Sequence, residues 1–391
     1  MKRFDISIFL IILCVGNLLA EGRGSDIVTT CTTGDSAGSH KETAQDIVAV
    51  IRKVNAYWQS ENIPEVRAFW DHAAYHTGNM EAYKLTGDKS YLDYSIAWAE
   101  HNQWKGAKSD NKAEWRYNYG ENDCHVLFGD WQCCFQTYID LYNIQPADYK
   151  IARACEVMEY EMSTDYNGYW WWADGLYMVM PVMTKLYNVT KNPLYLEKLH
   201  EYFSFADNIM YDKEVGLYYR DGNFVFPRHK TPDGKKDFWA RGDGWVLAAF
   251  AKVIQDLPEK NEYRPLFIDR FRSMAKALQK YQHPDGYWTR SITEHDYVPG
   301  PETSGTAFFT YGLQWGINYG LLDATTYQPV VDNAWKYLTQ VALQPNGRVG
   351  YVQPIGAAAV PGQMIDANST ADFGVGAFLL AACERLRYIN K

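Results

Sequence analysis

Positive charge is scarce in this chain. Its 391 residues include 38 Lys and Arg against 47 Asp and Glu, which gives a net charge of −9. Domains that bind nucleic acid usually present a basic face, so this balance argues against nucleic acid as a partner. An acidic ligand is still compatible with the sequence, provided that a few cationic side chains gather in one pocket.

Long apolar runs are also few. One covers residues 6–15, separated by two residues from the pair Lys2 and Arg3, and small and polar residues follow the run. This layout predicts a secretory signal peptide over residues 1–20, since the run is too short to stay in a bilayer as a spanning helix. Cys14 would anchor a lipoprotein, but no small residue precedes it. The sequence therefore predicts an exported protein without a membrane span, most simply periplasmic, with secretion or lipid anchoring as alternatives.

Cysteine is rare as well, with seven in the chain and six once the signal peptide is removed. Their spacing matches none of the usual zinc-binding patterns. Export permits disulfides, but a domain of this size does not need them. We therefore expect buried free thiols, and neither a metal nor a cofactor.

Aromatic residues, in contrast, are abundant. They make up 16% of the chain, with 14 Trp and 30 Tyr. A large hydrophobic core is one explanation. Flat, amphipathic rings also suit the apolar faces of sugars, so the excess favours glycan binding in an exported protein.

A repeated unit organises the chain. Each copy consists of a turn, a Tyr that opens an amphipathic helix, and a second turn with Gly and aromatic residues, and its apolar positions recur at helical spacing. The five copies begin near Thr86, Asp148, Asn192, Glu262 and Thr326. Other helices, richer in small and aromatic residues, are predicted between the copies.

Helical repeats of this length indicate hairpins stacked side by side. A helix predicted over residues 42–60 can pair with the C-terminal helix, which makes six hairpins, enough to close a ring. The sequence therefore predicts an all-α protein, an (α/α)6 barrel of six helical hairpins, as one domain over residues 21–391. Loops gathered at one end of the ring are the expected place for a site.

Two aspartates lie in aromatic surroundings at the predicted starts of inner helices. Asp174 follows three tryptophans, of which Trp172 is the last, and Asp130 precedes Trp131. Apolar surroundings raise the pKa of a carboxyl group, as a proton donor at neutral pH requires, and paired carboxylates are the usual equipment for glycosidic bonds. Helix capping is the alternative for both aspartates, since Asp is a favoured N-cap residue.

The segment FWARGDGW places a cation among aromatic rings. We interpret its two glycines as an open, backbone-exposed turn in front of a helix. Arg241, between Trp239 and Trp245, can fork onto a carboxylate while a ring stacks on a sugar. A structural ion pair of Arg241 with Asp243 or Asp237 is the alternative.

The segment PETSGTA carries small hydroxyl residues at a predicted helix start. Thr303 and Ser304 can bind a carboxylate there, together with the free N–H groups of the first turn. Ordinary capping by either residue explains the segment equally well.

The segments WWWADGLYMVMPVMTKLY, FWARGDGWVLAAFAKVI, PDGYW, PETSGTAFFTYGLQWGINYGLL and GYVQPIG occur in this order. Together they resemble the unsaturated rhamnogalacturonyl hydrolases of glycoside hydrolase family 105, whose sister group is the unsaturated glucuronyl hydrolases of family 88. The resemblance runs from about Gly129 to the C-terminus, with a weaker part around 75–94. It implies an (α/α)6 barrel and an exo-acting enzyme. The implied substrate is an acidic oligosaccharide that a polysaccharide lyase has left with a Δ4,5-unsaturated uronic acid at its non-reducing end.

The resemblance also implies roles for individual residues. Asp174 matches the catalytic acid/base of the family, and Asp130 matches its second aspartate. Trp239, Arg241 and Trp245 match residues of the family's sugar-binding turn.

Two positions depart from the family's pattern. Arg220 stands where members often have His, and it can bind a uronate carboxylate but cannot transfer a proton. Asp243 stands where Asn is frequent, and it adds a negative charge near the proposed carboxylate site. The weaker N-terminal part of the resemblance contributes Tyr75 and His76 as further substrate-binding candidates, beside Trp172.

The expected reaction is the hydration of an enol ether. Protonation of C4 creates an oxocarbenium-like centre at C5, water adds there, and the resulting hemiketal opens and releases the rest of the glycan. One protonated aspartate suffices for this step, without a metal or cofactor. The alternatives are an ordinary inverting glycosidase or a sugar epimerase on the same barrel, or a non-catalytic glycan-binding protein.

Overall fold

Helices dominate the structure, a computed structural model that describes residues 42–391. Within these residues the helices are α1 (Ala44–Glu61), α2 (Trp70–Thr86), α3 (Lys89–His101), α4 (Cys134–Ile144), α5 (Tyr149–Met162), α6 (Ala173–Thr190), α7 (Leu194–Met210), α8 (Ala240–Asp256), α9 (Arg264–Tyr281), α10 (Thr303–Asn318), α11 (Ala324–Tyr337) and α12 (Asp372–Ile389). A short antiparallel hairpin of β1 (Tyr211–Asp212) and β2 (Leu217–Tyr218) follows α7. The predicted signal peptide, Cys14 and Cys31 lie outside the described residues.

The even-numbered helices form a closed inner ring. Each contacts the next, from α2 through α4, α6, α8 and α10 to α12, and α12 contacts α2 again. The odd-numbered helices pack around this ring, and α1 lies against α12. The predicted (α/α)6 barrel is confirmed, including the pairing of the first helix with the last.

Small residues allow the inner helices to approach one another closely. A Cβ atom added to Gly78 of α2 would lie only 2.3 Å from the carbonyl oxygen of Gly376 in α12. All residues of α10 are buried. Both faces of such an inner helix are covered, one by the outer helices and one by the ring itself.

The inner helices begin earlier than their apolar patterns predicted. Asp174 and Arg241 therefore lie inside the first turns of α6 and α8 rather than in front of them. In α10 the N-cap is Glu302, whose carboxylate accepts hydrogen bonds from the backbone N–H groups of Ser304 and Gly305. The capping alternative for Thr303 and Ser304 is thus wrong, because the preceding acid takes that role.

No helix within residues 42–391 combines the length and the apolar character needed to cross a membrane. The five cysteines of the same range are free: Cys124, Cys133, Cys134, Cys155 and Cys383.

Candidate active site

A cavity of about 350 Å³ lies at the end of the barrel where inner helices begin. Trp70, the first residue of α2, and Asp174, in the first turn of α6, contribute to its wall. Asp130, from the short 3₁₀ turn Gly129–Trp131 ahead of α4, also lines it. The cavity therefore unites the two aspartates that the sequence singled out.

Asp174 is almost completely enclosed. Its residue is 9% exposed, and its Oδ2 atom accepts no hydrogen bond within the described residues. Burial raises the pKa of this carboxyl, although the charges of Arg220 and Arg241 act against that rise. The N-cap of α6 is Trp172, so the capping alternative for Asp174 is wrong.

Asp130 is similarly buried, at 7% exposure. Burial raises its pKa well above the ordinary value, and the negative charge of Asp174 raises it further. The residue lies in the 3₁₀ turn, and Cys133 holds the N-cap position of α4, so Asp130 is not a cap either. The two carboxyl groups form an electrostatically coupled pair that favours retention of a proton.

The turn that carries Asp130 rests on a buried hydrogen bond. The Gln132 side-chain amide donates to Glu161 at 2.5 Å and to the Val126 carbonyl at 3.2 Å. Glu161 is 1% exposed, and burial raises its pKa to about 8. This raised pKa favours the neutral form of Glu161 beneath the turn.

Arg220 is the cation beside the pair. Its Nε atom lies 3.4 Å from Oδ2 of Asp174, and its Nη1 atom donates to Asp221 at 2.6 Å. The backbone carbonyl of Arg220 also accepts a hydrogen bond from Ala173 at 2.8 Å, which fixes the start of α6 against this segment. The guanidinium carbon lies 5.8 Å from the centroid of the Trp171 ring. Arg220 thus lies in the cavity, as the sequence predicted.

Aromatic rings form much of the remaining wall. Trp172 stacks on Phe128 at 4.5 Å between ring centroids and with an interplanar angle of 5°. Both rings line the cavity, as does the half-buried Trp171. Gly175 leaves room for the Trp172 ring, since an added Cβ would come within 3.1 Å of it.

Arg241 does not present its guanidinium to the cavity. It is 1% exposed and donates to the carbonyl oxygens of Gln353 at 2.7 Å and Pro354 at 2.9 Å. Its guanidinium carbon lies 4.6 Å from the Trp239 ring and 4.7 Å from the Phe373 ring. The sequence predicts that Arg241 contacts a substrate carboxylate. The structure instead shows it bound to the loop of residues 353–357, of which residues 355–357 line the cavity.

The surroundings of Arg241 also correct the expected ion pair with Asp243 or Asp237 and the expected charge of Asp243 near the site. It forms no ion pair with Asp243 or Asp237. Asp243 accepts a hydrogen bond from the backbone N–H of Tyr218 at 2.8 Å, deep under β2, and burial raises its pKa well above the ordinary value. The expected open turn is a packed helical turn, and Asp243 adds no charge to the cavity.

Trp239 and Trp245 lie behind the cavity wall. The Trp239 indole N–H donates to Gln353 at 2.8 Å, so this ring supports the same loop as Arg241. Trp245 is fully buried and packs against Phe308 at 4.4 Å between centroids. It contacts Trp70, which does line the cavity. Neither tryptophan is itself in the wall.

Four further candidates lie elsewhere. Tyr75 and His76, in the middle of α2, line a separate cavity of about 240 Å³, where His76 stacks on Trp98 at 3.9 Å. Thr303 and Ser304 are fully buried and bond to Tyr337 and Glu302. Sequence order placed these residues near helix starts or in a matched segment, but the helical rotation turns their side chains away from the aspartates.

Several wall residues escaped the sequence analysis because they lie in loops without periodicity. Arg67 precedes α2, while Tyr119 and Glu121 belong to the long α3–α4 connection. Glu121 accepts hydrogen bonds at 2.5 Å from both Arg67 and Tyr119. A pairing across 54 residues leaves no local pattern in a sequence.

Known proteins resemble this chain along most of its length. The family model of Glycosyl Hydrolase Family 88 matches residues 43–389. The chain is 33% identical over 384 residues to an unsaturated 3S-rhamnoglycuronyl hydrolase of Formosa agariphila, across 92% of this chain and 97% of that protein. A solved glycosyl hydrolase family 88 structure from Bacteroides vulgatus is 61% identical with a TM-score of 0.87, across 89% of this chain and 100% of that one. Another solved structure, described as a polysaccharide lyase, is 68% identical with a TM-score of 0.87, across 89% and 98%.

Proposed function

Because this chain belongs to glycosyl hydrolase family 88 and is a glycoside hydrolase, we propose that it hydrates the C4–C5 double bond of a terminal Δ4,5-unsaturated uronic acid. It acts from the non-reducing end of short oligosaccharides that a lyase has produced. The predicted signal peptide supports a place of action outside the cytoplasm, most simply the periplasm.

The observation that carries this proposal is the pair of buried carboxyl groups in one aromatic cavity. Asp130 and Asp174 are each less than a tenth exposed, and Arg220 adjoins them. Burial raises the pKa of both carboxyl groups, and the charge of Asp174 raises that of Asp130 further, so the pair favours retention of a proton. A proton donor, an aromatic wall and a cation are what an unsaturated uronate requires of its enzyme.

Asp174 is the proton donor in this reaction. It transfers its proton to C4, and the double-bond electrons form the new C4–H bond, which leaves an oxocarbenium-like centre at C5. Water then adds at C5, and the Asp174 carboxylate takes the proton that the water loses, so the acid is restored. The C5 hemiketal opens and releases the remaining glycan at C1.

Asp130 binds and orients the sugar or the water. Its strongly raised pKa favours the neutral form, which donates as well as accepts hydrogen bonds. A neutral Asp130 also avoids repulsion with the uronate carboxylate, for which Arg220 supplies the opposite charge.

The relatives guide the choice of glycan. Because the relative from Formosa agariphila is named an unsaturated 3S-rhamnoglycuronyl hydrolase, the first substrate to test is an unsaturated uronate linked to rhamnose. Pectin-type and other acidic glycans, cut by the corresponding lyases, form the comparison set.

The test is to follow the absorbance of the unsaturated bond while the enzyme acts on lyase-generated oligosaccharides and on saturated glycosides. We expect absorbance to fall with the unsaturated substrates, and saturated glycosides to remain intact. Release of sugars from saturated glycosides would instead identify an ordinary glycosidase. A rise in absorbance with an intact polysaccharide would identify a lyase, as one solved relative is described.

A further inference from the structure

The side chain of Arg220 is held on one side only. Asp221, which is 1% exposed, binds its Nη1 atom at 2.6 Å and is itself fixed by the backbone N–H of Asn223 at 2.7 Å. The opposite side of the guanidinium faces Asp174 through Nε at 3.4 Å, without hydrogen-bond geometry. Arg220 is therefore hydrogen-bonded to Asp221 but only adjacent to Asp174.

The Arg220 side chain lines the cavity and is partly exposed. Within residues 42–391, the Nη2 atom of Arg220 has no hydrogen-bond partner, and a fifth of the side chain is exposed. A guanidinium presents Nε and Nη2 side by side, which is the arrangement that receives a carboxylate with two parallel hydrogen bonds. Nε itself is buried against Asp174 in the empty cavity, so a carboxylate can receive both bonds only when the guanidinium turns away from Asp174.

The other charges around Asp174 are fixed. Arg241, in the first turn of α8, is held by backbone carbonyls, and Asp221 is held by Arg220 and a backbone N–H group. Asp130 faces Asp174 from the turn ahead of α4, where burial and Asp174 favour its neutral form. Arg220 is consequently the charge of this group that a ligand can reach and redirect.

We propose that Arg220 exchanges partners during the reaction: it faces Asp174 in the empty cavity and forks onto the uronate carboxylate in the complex. This inference rests on the proposed function and specifies how the substrate prepares its own acid catalyst. Once the cation is paired with the substrate, it no longer offsets the burial of Asp174. Asp174 then takes up a proton from solvent, and that proton is the one delivered to C4.

The pH dependence of catalysis measures this exchange. The basic limb of kcat/KM reports loss of the acid in the free enzyme, and that of kcat reports its loss in the complex. In the wild type we expect the kcat limb to lie roughly 1–2 pH units above the kcat/KM limb, the size of effect that a neighbouring opposite charge has on a carboxyl.

Arg220→Gln should close this gap. The kcat/KM limb moves upward by roughly 1–2 pH units because no cation opposes protonation of Asp174 in the empty site. Arg220→Lys, which keeps the charge, should retain part of the gap. Arg67→Gln is the matched control, since Arg67 lines the same cavity but pairs with Glu121 and Asp71. It should alter KM without closing the gap.

A second measurement uses the wild type alone and so does not depend on the folding of a variant. Calorimetric titration in buffers of different ionisation enthalpy counts the protons taken up on binding. A saturated oligosaccharide with a terminal uronate should bind with proton uptake, and its methyl ester should bind with none.

Coincident limbs in the wild type, or equal proton uptake with the acid and the ester, would overturn the partner exchange while leaving hydration activity intact. Absence of any activity on unsaturated uronates would instead reject the proposed function itself. If Arg220→Gln lowers kcat/KM at every pH but leaves the distance between the kcat and kcat/KM limbs unchanged, Arg220 only binds the substrate and does not exchange partners.

Discussion

Replacement of Asp174 by Asn isolates the proposed proton donor. Asn has nearly the same shape but cannot deliver a proton. The change removes the attraction to Arg220 at 3.4 Å, yet Arg220 keeps Asp221 at 2.6 Å. It also removes the negative charge that raises the pKa of Asp130. Because Oδ2 of Asp174 accepts no hydrogen bond within the described residues, we expect the free energy of unfolding to change by no more than about 1 kcal/mol.

The effect on turnover should be far larger. General acid catalysis contributes about 10²–10⁴-fold, which corresponds to roughly 3–5 kcal/mol of transition-state stabilisation. Proton transfer to carbon should lie at the upper end, since an enol ether carbon is a weaker base than the oxygen that most glycosidases protonate. We therefore expect kcat to fall by about 10³-fold or more, with KM changed much less.

The assay compares kcat on a lyase-generated oligosaccharide with thermal unfolding in the same preparation. Glu121→Gln is the matched control, because this acid lines the same cavity but lies at its rim, paired with Arg67. It should keep kcat within about tenfold of the wild type. Near-normal kcat in Asp174→Asn would refute the assignment, and Asp130 would then be the next candidate.

Three further substitutions test other parts of the site. Arg241→Ala should lower the free energy of unfolding by about 2–4 kcal/mol, measured in urea, because the carbonyls of the 353–356 loop lose a buried charged donor. KM should rise with it, and an unchanged urea midpoint would contradict this. The pKa of Glu161 is about 8 in the folded protein and about 4.5 when unperturbed, so wild-type stability should fall as pH rises between these values. Glu161→Gln should remove that loss, by up to about 1.4 kcal/mol per pH unit, and parallel stability curves would contradict it. Trp171→Ala should raise KM with little change in stability, since this ring is half-buried in the cavity wall; an unaltered KM would exclude it from substrate stacking.

The barrel was predictable from sequence because it depends on local patterns. The outer helices are amphipathic, and their repeat marked the hairpins. The starts of the inner helices were less accessible. The first five residues of α8 include Arg241 and two glycines, a composition typical of an open turn, and only the close approach of Gly244 to α10 shows that it is helical. Tertiary packing there overrides local preference.

The meeting of two aspartates in one cavity was likewise predictable, and the surroundings of this pair were not. Asp174 and Asp130 carried local signals in their tryptophan neighbours. The direction of a side chain depends on helix rotation, which sequence order does not reveal, so Thr303 and His76 were grouped with the site although they lie outside the cavity. No sequence pattern marked Arg67 as part of the cavity wall, because its partner Glu121 comes from a loop that is distant in sequence.

In the proposed reaction, water adds across C4–C5 and does not displace the glycan at C1 directly. Proton NMR during turnover in D₂O distinguishes these routes, because only hydration converts the vinyl C4–H into a saturated carbon. We predict that the first detectable product lacks the vinyl signal and carries one deuterium at C4, formed at the same rate as the released glycan. A first product that is the free unsaturated uronic acid, with its vinyl signal intact, would contradict the account.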